Sequence, residues 1–222
     1  MTTDADDVPI KRYHHGSLPE ALLAASEAVL LRDGIAGLGL RAIAREAGVS
    51  HTAPKHHFGD TTGLLSELAA VGYRRLSDAM REAAGGLSDV AERRGAIARA
   101  YVHFAYGNAA MFGLMFRNEK IDMHRPALAE AAREAMRVMA AIIGARTETE
   151  GETPVSLGSA EAMRITAAWG YVHGLAILLI DQRLGGIVQV TPAFDNPLDL
   201  VDAALRDVRF GFVSAETANQ KT

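Results

Sequence analysis

Apolar positions recur along this chain at three- and four-residue spacing and nowhere hold a period of two, which predicts an all-α protein with no sheet. The most compact instance lies in residues 40–58. Leu40, Ile43, Ala44 and Ala47 form one apolar stripe, while Arg41, Arg45 and Glu46 take the opposite side. The stripe stops at Gly48, because glycine accepts the left-handed conformation that ends a helix. Ser50 then has the side chain to cap a second helix of about two turns, whose wet face carries His51, Thr52, Lys55 and His56. Counted from that cap, Pro54 is the fourth helical residue, where it loses one amide bond near a frayed end rather than the ~3 kcal/mol of a helix interior. A helix, a short turn with glycine and a polar second helix make a helix-turn-helix, whose second helix enters the DNA major groove.

The flanking pattern extends this unit in both directions. Ser17 and Glu20 fit a capping box, and Leu18, Leu22, Ala25 and Val29 continue at helical spacing to a stop at Asp33-Gly34. That helix packs across the next two and makes a three-helix head. Residues 34–39 are glycine-rich but follow a helix and lack a lysine, so they read as a connection rather than a phosphate loop. Asp60 is placed to cap a long helix over 60–84, with Leu64, Leu65, Leu68, Val71 and Leu76 inward and Gly85-Gly86 as its stop. Further helices are expected at about 88–107, 109–118, 126–146, 158–183 and 197–213, with a mobile loop over 144–158 and an ordered connection over 185–196. The domain reading is a disordered tail at 1–10, a DNA-binding head at 11–59 and a ligand-binding and dimerisation body at 60–222, with helix 60–84 as the joint.

Residues 165–180 contain no charge, but sixteen residues fall short of the roughly 20 that a bilayer needs, and Arg164 and Asp181 bound the run. No membrane segment is expected. A helix apolar on nearly all sides is better served by two burials, one in its own core and one against a partner. The last helix has the same character: Asn196-Pro197 starts it, and Leu198, Val201, Leu205, Val208 and Phe212 recur at 3-4 spacing. Two such helices from each of two chains make a four-helix interface, so a homodimer through 158–183 and 197–213 is expected.

With 222 residues, 49% of them hydrophobic and 23% charged, the chain can bury a full core. It has no cysteine, which excludes disulfides, thiolate metal sites and cysteine nucleophiles. Residues 1–10 are polar and acidic and show no secretory signal, so the reading is cytoplasmic. A net charge of −4 argues against a protein that coats nucleic acid through bulk charge. Between Lys11 and Gly59, however, six bases face four acids, a local balance of +2, and five of the eight histidines lie there as hydrogen-bond donors to phosphate. Lys11-Arg12-Tyr13-His14-His15 is a basic arm, either for phosphate and minor-groove contact or as a solvated charge run. The His14/His15 and His56/His57 pairs do not make a metal site, since adjacent helical residues diverge by about 100° and no Asp or Cys completes a ligand spacing. No metal and no cofactor is expected.

Tyr13-His14-His15-Gly16-Ser17-Leu18, the helix-turn-helix, and His56-His57-Phe58 before an Asp60-started helix with Leu64-Leu65 resemble the N-terminal domain of TetR-family transcriptional repressors over about residues 12–66. Asn108-Ala109-Ala110-Met111-Phe112-Gly113-Leu114-Met115-Phe116 and Trp169-Gly170-Tyr171-Val172-His173-Gly174 are similar to the C-terminal domain of the branch named for its Trp, His and Gly. The resemblance implies base or groove contacts at Arg41, His51 and Thr52. It implies phosphate contacts from Lys55, His56 or His57 and from the backbone at Gly39 and near Thr61. The sequence departs from the family pattern at Lys55 for a tyrosine, Gly39 for a Ser or Thr cap, Thr61 for a phosphate-gripping lysine and Pro19 for an arginine. Lys55 supplies a mobile point charge, whereas the other three changes remove side-chain contacts.

Within the body the large apolar residues gather. Tyr101, Phe104, Phe112, Met115, Phe116, Met139, Trp169 and His173 are the candidate ligand-binding set, with Met136, Met163 and Tyr171 in the same cluster. Each one alone reads as core, but a Met-rich and aromatic lining suits an adaptable apolar pocket. His103 and His173 are its candidate polar anchors, and a core histidine holding a backbone carbonyl is an equal reading of His173. No nucleophile motif, metal-ligand spacing, strand-linked phosphate loop or carboxylate pair points to an enzyme. The expected function is a dimeric repressor of a near-palindromic double-stranded DNA operator, released by a small apolar or aromatic effector. A helical ligand-binding protein or enzyme with the helix-turn-helix as scaffold, and a regulator without effector, are the alternatives.

Overall fold

The structure, a computed structural model, describes residues 17–116, 119–141 and 158–208. The tail expected at 1–10, the arm with Lys11 and Arg12, nearly all of the loop expected at 144–158, and Phe212 lie outside the described residues. Every regular element among the described residues is helical: α1 (Leu18–Asp33), a 3-10 turn (Ile35–Gly37), α2 (Leu40–Glu46), α3 (Ala53–Phe58), α4 (Thr61–Ala84), α5 (Val90–Gly107), α6 (Ala109–Met115), α7 (Pro126–Ala140), α8 (Ser159–Ile180), α9 (Gly185–Gln189) and α10 (Pro197–Asp207). The chain divides into two compact units, Met1–Leu64 and Leu65–Thr222.

In the first unit α1 packs on α2 and α3 through Leu22, Ala25, Val29 and Leu30, which meet Ile43, Ala44 and Ala47 in a dry centre. Gly48, with φ +66, carries the chain out of α2 as its position predicts. Two local expectations need correction. The capping box at Ser17 does not form: the Glu20 amide donates to the Ser17 carbonyl at 3.0 Å, so the N–H that the hydroxyl needed is already used. The second helix begins at Ala53, two residues later than a Ser50 cap implies, with Thr52 at the cap position. Ser50 instead shapes the preceding turn, its carbonyl accepting from Ala53 at 3.0 Å and its hydroxyl lying 2.9 Å from the Thr52 hydroxyl. Pro54 is therefore in the first turn, where the amide it lacks would have had no helical partner.

In the second unit α8 packs along α5, and α10 packs against both. Helix starts here follow sequence chemistry closely. Asp89 accepts the Glu92 amide at 2.8 Å at the head of α5, and Asn196 accepts from Leu198 and Asp199 at the head of α10 with Pro197 first in the helix. Asp60 caps α4 as expected, accepting the Gly63 amide at 2.7 Å. Helix ends are shorter than the periodicity implied: α6 stops at Met115, α8 at Ile180, and α10 at Asp207, where Val208 turns extended with ψ 119°. The ordered connection expected over 185–196 contains the short helix α9.

Where α4 crosses α6 there is room for no side chain. A Cβ on Gly72 would lie 2.7 Å from the Met115 sulfur and 3.0 Å from Met111 Cγ, both in fully packed surroundings. Gly95 in α5 has open space around the same position. Gly72→Val is accordingly expected to lower unfolding stability by about 1–3 kcal/mol through overpacking. Gly95→Ala is expected to raise it by roughly 0.5–1 kcal/mol through helix propensity, with urea unfolding as the measurement.

Candidate DNA-reading surface and ligand cavity

Helix α3 has six residues, too few to be stable alone, and two buried side chains one turn apart fix it to the head. Pro54 and Phe58 point inward, Phe58 at 6% exposure. Lys55, His56 and His57 are consequently exposed on the helix, and His51 and Thr52 are exposed on the turn just before it rather than on the helix itself. Arg41 and Arg45 stand exposed on α2. The head's charges are unequally engaged. Arg32 pairs with Asp33 at 3.0 Å and Glu46 at 2.8 Å, and hydrogen bonds to those carboxylates raise its pKa. Arg41, Arg45 and Lys55 have no carboxylate partner among the described residues, which leaves a cationic face beside three histidines. Gly39 is the extended residue before α2, and Thr61 opens α4. At that end of α4 the Asp60 carboxylate already occupies one amide, so a phosphate there would compete with negative charge.

The second unit holds a cavity of about 290 Å³, lined by Tyr73 and Leu76 of α4, Tyr101 of α5, Phe116, Met123, Ala132, Ala135, Met136 and Met139 around α7, and Trp169 of α8. Of the eight residues expected to bind a ligand, Tyr101, Phe116, Met139 and Trp169 line it. Phe112 and Met115 are fully buried core behind its wall, and Phe104 and His173 also lie outside the lining. His173 backs the wall instead, its ring 4.6 Å from Phe116, 5.4 Å from Phe112 and 6.1 Å from Trp169. Its Nδ1 is 2.9 Å from the Tyr101 hydroxyl, which also accepts from Trp169 Nε1 at 3.3 Å. An indole N–H can only donate, so the phenol proton is assigned to His173 Nδ1 and the histidine to its Nε2–H form.

His103, expected as a second anchor, sits exposed on the outer side of α5 with Nε2 2.9 Å from Asp202 of α10. Its helical face, two residues on from Tyr101, points it away from the cavity. Met163, expected in the apolar cluster, is 67% exposed. The sequence reading placed Met136 in the apolar cluster but missed Tyr73, Leu76, Met123, Ala132 and Ala135 as lining residues. The α7 group was detectable in principle, because Ala132, Ala135, Met136 and Met139 share one face at 3-4 spacing. Among the described residues no three His, Asp or Glu side chains gather as a metal site.

Residues 22–68 match the family model described as bacterial regulatory proteins of the tetR family, and residues 95–208 match the tetracyclin repressor-like C-terminal domain. The chain belongs to the TetR family. It is similar to a solved protein of unknown function from Rhodococcus sp. RHA1, at 34% identity over 88% of this chain and 97% of that one, with a TM-score of 0.65. A transcriptional regulator from the same organism matches at 25% identity over 86% and 92%, with a TM-score of 0.55. The TetR regulator PfmR of Thermus thermophilus, at 16% identity over 84% and 94% and a TM-score of 0.55, shares the fold. No curated protein matches this chain. As a TetR-family member the protein is a transcription regulator and not an enzyme, with a DNA-binding domain followed by a ligand-binding domain.

Burial holds the His173 pKa below its ordinary 6.5. The unfolded chain takes up that proton near pH 6.5 while the folded chain resists it, so the contribution is complete above 6.5 and is lost as pH falls through the folded value. The thermal midpoint is expected to drop between about pH 7 and pH 5, and His173→Gln, which has nothing to protonate there, to flatten the drop. Superimposable pH profiles for the two proteins would contradict this placement of the ring.

Proposed function

We propose that this TetR-family protein is a cytoplasmic repressor that binds a near-palindromic operator as a homodimer and is released by a small apolar or aromatic ligand held in the cavity of its body. The observation that carries the DNA half is the cationic, carboxylate-free face of Arg41, Arg45, Lys55, His51, Thr52, His56 and His57 on a recognition helix pinned by Pro54 and Phe58. We assign residues 11–59 to the head and 60–222 to the body. Arg41, His51 and Thr52 are given to the groove; Lys11, Arg12, Lys55, His56 and His57, with the backbone at Gly39 and Thr61, are given to phosphate. The turn position of His51 and Thr52 suits this, since residues just ahead of and at the start of a recognition helix lie nearest the bases. Asp60 at the start of α4 and the missing cap side chain at Gly39 weaken two of the phosphate contacts, so affinity rests more heavily on Lys55 and on pairing two heads.

Pairing has a candidate surface. Helix α8 is 22 residues long with mean hydropathy 1.4, long and apolar enough to cross a membrane, and only 28% of its apolar window is buried in the protein. Ile165, Ala168, Val172, Ala176 and Leu179 face its own core, while Ile177, Leu178 and the open sides of Gly170 and Gly174 face outward. We assign this outward face, with α10, to a second copy, because a small-residue surface lets two helices approach closely and a helix already packed on α5 and α10 needs covering on one side only. Two heads about 34–36 Å apart then read two half-sites one helical turn apart, a few base pairs each. The cavity favours a regulator with an effector over one without, and the branch carrying Trp169, His173 and Gly174 fits a wall lined by the first of those residues and backed by the second.

The test is a titration of the protein on its own upstream DNA at two salt concentrations, with mass measured in parallel. A saturable complex that weakens steeply with salt is expected. Thr52→Ala and Lys55→Ala are expected to lose about ten- to a hundredfold in affinity with the dimer intact, the range for one base or charged contact. Ile177→Arg is expected to yield a monomer with only salt-sensitive, sequence-indifferent binding. Undiminished operator binding by Thr52→Ala and Lys55→Ala would remove these contacts from the interface.

A further inference from the structure

Among the described residues that line the cavity, every side-chain hydrogen-bond donor is spent inside the protein. Tyr73 donates its hydroxyl proton to the Met115 carbonyl at 3.1 Å, Trp169 donates its N–H to the Tyr101 oxygen at 3.3 Å, and Tyr101 in turn donates to His173 Nδ1 at 2.9 Å. The opposite assignment of the last bond would leave the buried Tyr101 proton with no acceptor, which is costly. One acceptor is not spent. A phenol oxygen has one in-plane lone pair free of the ring, which Tyr101 gives to the Trp169 N–H and Tyr73 keeps. Burial raises Tyr73 to about 12 and Tyr101 higher still, so both rings stay neutral and Tyr73 offers a lone pair rather than charge. The remaining lining, Leu76, Phe116, Met123, Ala132, Ala135, Met136 and Met139, is apolar, and no charged side chain is among the described residues that line the cavity.

We propose that the cavity selects neutral aromatic molecules of about two fused rings that donate a hydrogen bond through an N–H or O–H group, and discriminates against isosteres lacking the donor and against carboxylates. This rests on the reading of the cavity as the effector site and specifies the chemistry it takes. The size follows from volume: an apolar cavity of about 150 Å³ holds one benzene ring, and this one is about 290 Å³. The aromatic preference follows from Tyr73, Tyr101, Phe116 and Trp169, whose edges and faces suit a flat ring, and from three methionines whose thioethers favour aromatic contact and repack around it. The donor requirement follows from the inventory of protons. A ligand N–H entering this wall finds the Tyr73 oxygen, whereas a ligand carboxylate loses its water and meets a lone pair with no proton to offer.

The experiment is calorimetric titration of the full-length protein at about pH 7 with indole, 1-methylindole and indole-3-carboxylate, repeated on Tyr73→Phe. Indole is expected to bind about five- to tenfold more tightly than 1-methylindole, the range for one net hydrogen bond, and the carboxylate more weakly than either. In Tyr73→Phe the ring and the cavity are kept, and the preference for indole is expected to shrink toward equality while 1-methylindole affinity stays. Melting of the variant within a few degrees of the parent confirms that it is folded, and the comparison of three ligands on the parent decides the question without it. Equal binding of indole and 1-methylindole overturns donor selection and leaves the effector site standing. Binding of the carboxylate alone, or of none of the three, overturns both.

Discussion

A helix of six or seven residues has no stability of its own in water, because the cost of nucleating it is recovered only over three or four turns. Three functional elements of this protein are that short: α2, α3 and α6. Each exists because a few side chains are buried, Ile43 and Ala44 in α2, Pro54 and Phe58 in α3, Phe112 and Met115 in α6. The constraint explains why the polar chemistry sits where it does. With one side of α3 committed to anchoring, only Lys55, His56 and His57 are left exposed on the helix, and on the proposed reading the turn that carries His51 and Thr52 joins them as the surface that faces DNA.

The same economy governs the body. Tyr101 is 2% exposed yet meets Phe112 edge-on, takes the Trp169 N–H and holds His173. Three rings and one short helix are thereby fixed around a single phenol. Satisfying those polar groups internally removes the cost of burying them, and it also determines what the cavity has left to offer a guest: shape, polarizable sulfur and the unshared lone pair of Tyr73. Gly72 belongs to this arrangement, since α6 reaches α4 closely enough for Tyr73 to bond the Met115 carbonyl only where the crossing residue has no side chain.

Helix content, the glycine stops at Gly48 and Gly85-Gly86, the Asp60 and Asn196 caps and the order of the head's three helices were legible because each is a local signal within a few residues. The start of α3 was not. Ser50 and Thr52 are both good caps, and what decides between them is the burial of Pro54 against the head, a tertiary fact. Ser17 failed as a side-chain cap for a comparable reason: the backbone of its own turn took the amide first. In the body, sequence could gather aromatic and methionine residues but could not tell Phe112 in the core from Phe116 on the cavity wall, since four residues along a helical stretch place both on one face. It could not distinguish His103 from His173 either. Both are histidines on apolar helices, and the difference is that Asp202 of α10 meets one and Tyr101 meets the other.

On the proposed reading a two-site regulator needs an element that both sites share in sequence, and α4 is that element. It is 24 residues long, opens at the Asp60 cap and supplies Tyr73 and Leu76 to the cavity wall about half-way along its length. On the proposed reading, a ligand that presses on Tyr73 presses on a helix whose other end starts three residues after the recognition helix stops. The energy required is small. A tenfold change in operator affinity corresponds to about 1.4 kcal/mol of difference between the two states, comparable with one hydrogen bond such as that from Tyr73 to Met115. On the same reading a weak head helps, since phosphate contacts thinned at Gly39 and at the start of α4 would leave less binding energy for the ligand to overcome.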